Sequence, residues 1–148
     1  MKPTNLRFIL AGLLAAFVAN GFLGVLFSSS IVQTILYDPQ LQSELFLTIT
    51  PTRNIPVSVA GLIALGGIHG YLFRMLESSL PGNILWKKGV AWGVFIWATY
   101  WLAQEWFIYI TLLGEPIMLA LFELLILFCG SILEGVLIAV IGHGKFRN

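Results

Sequence analysis

Four stretches of about twenty residues, each nearly free of charge, leave this chain few ways to fold. At about 1.5 Å rise per residue, a helix of that length spans the roughly 30 Å hydrocarbon core of a bilayer. Only 10% of the 148 residues are charged and 58% are apolar, where a soluble domain carries about a quarter charged. The mean hydropathy of +0.91 makes lipid the expected solvent for most of the surface. The expected fold is all-α: a polytopic membrane protein, a four-transmembrane-helix bundle occupying 1–148 as one domain.

Proline and glycine mark the breaks between spans. The first is expected at about 6–27, continuing helically toward Tyr37 until Asp38-Pro39 stops it, because proline lacks the N–H and disfavours helix in the residue before it. Lys2 and Arg7 ahead of Phe8 to Val18 have the look of a signal peptide, but the segment is read as a retained first membrane helix. Residues 38–54, with Pro39, Pro51 and Arg53, read as a loop with room for a short surface helix. Pro56 suits the first turn of a second span at about 55–76. Pro81-Gly82-Asn83 signals a turn before a third span at about 86–113. Gly114-Glu115-Pro116 then leads tightly into a fourth at about 116–142, opened by Pro116.

Alternating spans place Lys2, Arg7, Arg74, Lys87, Lys88, Lys145 and Arg147 on one side and Arg53 alone on the other. Basic residues in short loops stay cytoplasmic, so an N-in/C-in topology in a bacterial inner membrane is expected. Three or five spans would divide these charges. Trp86 at one interface and Trp106 and Tyr109 near the other fit an aromatic belt. Trp92, Trp97 and Trp101 lie deeper and read as packing or lipid-facing bulk.

Helices associate in lipid through close packing and interhelical hydrogen bonds, which favours small residues at their contacts. Gly89 and Gly93 supply them on the third span. Ala60, Ala64, Gly66, Gly67 and Gly70 do so on the second, and Gly12, Ala16, Asn20 and Gly24 recur at four-residue spacing on the first. A compact bundle is expected.

Glu105, Glu123 and Glu134 fall inside spans, where a central charge costs roughly 2.5–3.5 kcal/mol on insertion scales. Each is therefore expected to face the bundle or water. Glu123 and Glu134 lie about 20° beyond three full turns apart, on one face of the fourth helix with Leu127 and Gly130 between them. Gly130 would leave room there for a neighbouring backbone, a water or a ligand atom. Glu105 stands as far before Gly114 as Glu123 stands after it, so a hairpin sets both at one depth. His69 and Glu134 also reach similar depths. Rotation is a separate matter, because on an α-helix the Gly89/Gly93 face lies about 160° from Glu105. Glu105 and Glu123 are expected to face each other or to share a polar group or water between them; glycines packed on the second helix would allow this, and glycines packed on the fourth would turn Glu105 away. Asn20, Thr99, Tyr100 and Gln104 are the expected polar partners, either fixing the packing or forming a polar pathway.

Other residues point to less. Glu115 is expected at the interface near a helix N-terminus, where a carboxylate is favoured. His143 is expected in solvent. Cys129, the single cysteine, excludes a disulfide and any multi-Cys metal site and reads as a small buried hydrophobe. His69 could ligate haem or a pigment. There is no His-Glu-x-x-His, no Glu-x-x-His pair, no phosphate loop and no Gly-x-Ser-x-Gly, so no enzyme and no dedicated metal site are expected. No cofactor is clearly indicated. A net charge of +1 gives no reason to expect nucleic acid.

Leu80-Pro81-Gly82, Lys88-Gly89 with Gly93 and Trp97, and a last helix with Glu123, Gly130-Ser131 and Glu134-Gly135 resemble a group of uncharacterised small bacterial four-span membrane proteins. The resemblance covers about half the chain and implies a four-span bundle without implying an activity. The leading expectation is a small subunit or accessory of a membrane complex, or a homo-oligomer. The alternatives are a small transporter or proton-coupled carrier using the intramembrane carboxylates, and a haem- or pigment-binding protein.

Overall fold

The computed structural model describes residues 3–48 and 54–144, all helix or short connection with no strand among them. The expectations for Lys2, Pro51, Arg53, Lys145 and Arg147 lie outside those residues. Helix α1 (Pro3–Phe27) breaks at Ser28-Ser29, where the Ser29 side chain caps α2 (Ser30–Leu36). The helix expected to continue to Tyr37 is thus two helices. The short α3 (Glu44–Thr48) follows. Helix α4 (Ile55–Leu76) is capped by Asn54, with Pro56 in its first turn. A helical run over 85–112 then proceeds as α5 (Leu85–Ile96), π1 (Trp97–Trp101), α6 (Leu102–Gln104) and π2 (Glu105–Leu112), and α7 (Ile117–His143) closes the chain. Asn5–Phe27, Ile55–Leu76 and Ile117–His143 are long and apolar enough to cross a membrane, which supports a helical membrane protein.

Glycine sets the closest approaches. Gly12 and Ala16 of α1 meet Gly66 and Gly70 of α4, and the Phe8 carbonyl lies against Gly70. Gly89 and Gly93 of α5 meet Gly135 of α7, and a Cβ placed on Gly89 would come within 2.7 Å of the Val136 Cα. In each pair a residue early in one helix meets one late in the other, so both pairs run antiparallel. Not every small residue serves this purpose: Gly24 and Gly61 face open space. Nor does Gly130 leave a vacancy, because the Leu23 side chain of α1 packs into it. Phe8, Phe73, Trp92 and Ile138 form a core toward one end, with Phe8 and Phe73 ring centroids 5.9 Å apart. Cys129, expected to be buried, is exposed.

At that same end Glu77 gathers basic groups. Arg74 Nη1 approaches its carboxylate at 3.2 Å, His143 Nε2 lies 2.6 Å from it, and Lys88 Nζ donates to its backbone carbonyl. His143 is therefore partnered, though exposed.

The 85–112 run departs from α geometry. The Leu102 N–H donates to the Trp97 carbonyl, five residues back, and the Leu113 N–H to that of Ile108 at 2.9 Å. These are π-helical bonds, and a π turn takes in an extra residue without turning the flanking helix further. Along an unbroken α-helix, Glu105 would lie about 160° round from Gly89 and about 120° from Gly93. One extra residue absorbed in π1 cuts those angles to about 60° and about 20°. This overturns the rule that glycines packed on the fourth helix must turn Glu105 away. They pack on α7, and Glu105 still faces it.

Trp97 anchors the π1 segment by donating from Nε1 to the Leu124 carbonyl of α7 at 2.9 Å. Trp97→Phe keeps the bulk and removes the bond, and should cost about 0.5–1.5 kcal/mol. Thermal unfolding in detergent checks this, and an unchanged melting temperature would deny the anchor.

Candidate functional site

Glu105, Glu115 and Glu123 converge beneath the Gly114 turn. One oxygen from each lies within 4.8 Å of the other two. Glu105 opens π2, Glu123 lies in the second turn of α7, and Glu115 comes from the link between them. Gly114 takes φ +67°, a left-handed conformation that glycine adopts without strain. The turn it makes carries Glu115 inward. Glu115 is 5% exposed and Glu105 1%, so Glu115, which lies beside the N-terminus of α7 as expected, turns its carboxyl inward as a buried member of the cluster. Burial pushes its carboxyl above the usual carboxylate range. The Oε2 atoms of Glu105 and Glu115 are both buried without a hydrogen-bond partner. The chain after α2 lies over this cluster, tied down where Ser43 Oγ donates to the Leu113 carbonyl at 2.8 Å.

Two cavities follow. The larger, about 510 Å³, is lined by Asn20, Gln33, Tyr37, Gln104, Glu105 and Glu123 among others. The smaller, about 160 Å³, is lined by Asn20, Ser58, His69, Tyr100, Trp101 and Glu134. Asn20 and Trp101 border both. At the smaller cavity His69 Nδ1 lies 2.7 Å from Glu134 Oε1, joining α4 to α7. Asn20 Nδ2 donates to the Ala16 carbonyl of its own helix at 3.0 Å. The intramembrane candidates therefore fall into two groups, with Asn20 between them. Thr99 joins neither; it is exposed and donates to Phe95 one turn back.

No family model, curated protein or solved structure matches this chain. The chemistry is read from the geometry. Carboxylates and amide groups around neighbouring cavities can hold a cation or a proton. Glu115, and Gln42, which lines a small cavity with Glu115 and Glu123, are the participants that sequence reasoning missed. The positive-φ glycine demanded by so short a link was a usable signal for Glu115. Gln42 carried none, because its position depends on how the chain folds back after α2.

Proposed function

We propose that the chain is a four-span bundle in the cytoplasmic membrane, with both termini inside, acting as a small cation carrier along its intramembrane carboxylates. The observation that carries this reading is the pair of cavities meeting at Asn20 and Trp101, with a carboxylate cluster beyond one and the His69–Glu134 pair beside the other. A bundle acting only through association calls for a core with its polar groups satisfied. Here the Oε2 atoms of Glu105 and Glu115 are buried without partners, and such groups are costly unless the site is used. A haem or pigment site finds less support. The cavity beside His69 is about 160 Å³, below the roughly 300–1,000 Å³ of small-molecule sites.

The orientation is supported by the basic end of the bundle. Arg7 at the start of α1, Arg74 at the end of α4 and Lys87 and Lys88 at the start of α5 belong to helix ends that meet around Glu77 and His143. In a Cys129→Ala background, Gln40→Cys should react with an impermeant maleimide from outside the cell and Asn83→Cys only after lysis. Reaction of both from the same side would contradict the topology.

Purified protein in liposomes loaded with two fluorescent reporters, one for pH and one for divalent cations, tests the activity. A potential should drive proton or cation uptake, and Glu105→Gln combined with Glu123→Gln should reduce it at least about tenfold, as expected for groups lining the path. Uptake equal to that of empty liposomes would refute the carrier reading.

A further inference from the structure

We propose that Glu105, Glu115, Glu123 and the side-chain carbonyl of Gln42 form a binding site for a hard divalent cation. This deepens the carrier reading, on which its physiological use rests, by naming the class of ion. Three carboxylates with oxygens within 4.8 Å of one another repel strongly when ionised, and either bound protons or a cation among them relieves that repulsion. The described lysines and arginines stand at the opposite end of the bundle.

The acidic cluster is not the whole case. Glu105 and Glu115 are more than nine-tenths buried, and each points an Oε2 at no donor of the protein. A carboxylate taken out of water without a partner is among the costliest groups a fold can hold, and a cation supplies what is missing. Gln42 adds a neutral donor from a separate segment. Its Nε2 donates to the Leu36 carbonyl, and its Oε1 is buried without a partner. Gln42, Glu115 and Glu123 line a third cavity of about 90 Å³. That is the volume of about three liquid waters, enough for an ion that keeps some of its hydration.

The donor set selects the ion. All the groups are oxygens, which suit calcium, magnesium or manganese and offer nothing to soft metals. Oxygens on opposite sides of a calcium ion, each bound at about 2.3–2.6 Å, stand about 4.6–5.2 Å apart. The cluster needs little adjustment to close on such an ion.

Manganese, read by electron paramagnetic resonance on the intact protein in detergent, is the probe. One saturable Mn²⁺ per chain, displaced by Ca²⁺, is expected. Glu105→Gln and Glu123→Gln should each weaken it at least about tenfold, and Gln42→Ala, on a surface connection, should weaken it with the fold intact. Glu44→Gln, an exposed carboxylate of α3, should leave it unchanged. Circular dichroism and elution volume establish that each variant is folded. No saturable binding, or equal binding in all variants, overturns the site. Proton uptake by liposomes without Mn²⁺ binding overturns the site alone; Mn²⁺ binding without any uptake leaves the site standing and removes the carrier.

Discussion

Gly135→Leu should abolish the folded bundle, giving a protein that aggregates or elutes as a broad species in a detergent where the parent is monodisperse. A Cβ at Gly135 would lie 2.6 Å from the backbone nitrogen of Gly93 and 2.9 Å from its Cα. Backbone cannot swing aside as a flexible side chain can, so the helices must separate. Overpacking against side chains already costs about 1–3 kcal/mol, and separation here also removes the Gly89 and Gly93 contacts on α7. Lipid offers no hydrophobic drive to restore them. Gly135→Ala should be destabilising by about 1–3 kcal/mol for the same reason. Gly61→Ala supplies the opposite sign. Nothing stands within 4 Å of its Cβ, and alanine favours helix over glycine by about 0.8–1 kcal/mol. Similar melting temperatures for Gly135→Ala and Gly61→Ala would contradict the packing described.

Shortening the third helical run by one residue should be tolerated where lengthening it is not. Between Gly93 and Glu105 the chain already holds one residue more than an α-helix of that rotation needs, taken up in π1. Deleting Thr99 lets π1 relax to α geometry with Gly93 and Glu105 in their present relation. Thr99 is exposed and bonds only within its own helix, so little else is lost. Inserting an alanine after Thr99 adds about 100° of rotation. Either Glu105 turns out toward lipid or the glycine seam on α7 is lost. The deletion should keep a melting temperature near that of the parent; the insertion should lose folded protein or at least several degrees. An ordinary α-helix predicts equal damage from both, and that outcome would remove the π account.

What could be read from the residues, and what could not, follows from the same physics. The apolar runs, the prolines at 39, 56 and 116 and the Gly82 and Gly114 turns define the long helical segments within three residues, because they act locally. The antiparallel order brings Glu105 level with Glu123 and His69 level with Glu134, since depth depends only on distance from a turn. Glu105 meets Glu123 as expected, but the rule linking that meeting to the glycine seam failed, because rotation accumulates along a helix. A single π turn shifts everything beyond it by about 100°, and no residue type from Trp97 to Leu112 announces that geometry. The inward turn of Glu115 was not legible for a related reason. A carboxylate beside a helix N-terminus has a good local home at the surface, and only the course of the Gly114 turn sends it inward. Gly130 is a helix-packing position as expected, but its occupant was not legible, because the Leu23 side chain comes from a helix more than a hundred residues away in the chain.

The central claim is that Glu105 faces Glu123 while Gly89 and Gly93 hold the same helix against α7. Cross-linking tests it directly. In a Cys129→Ala background, which leaves no other cysteine, the Glu105→Cys/Glu123→Cys pair should form an intramolecular disulfide under mild copper-phenanthroline oxidation in membranes. Trp106 is 55% exposed on the outward side, so the Trp106→Cys/Glu123→Cys pair should not cross-link. Efficient cross-linking of the first pair alone is the predicted result. Cross-linking of the second pair in its place, or of neither in folded protein, would contradict the arrangement.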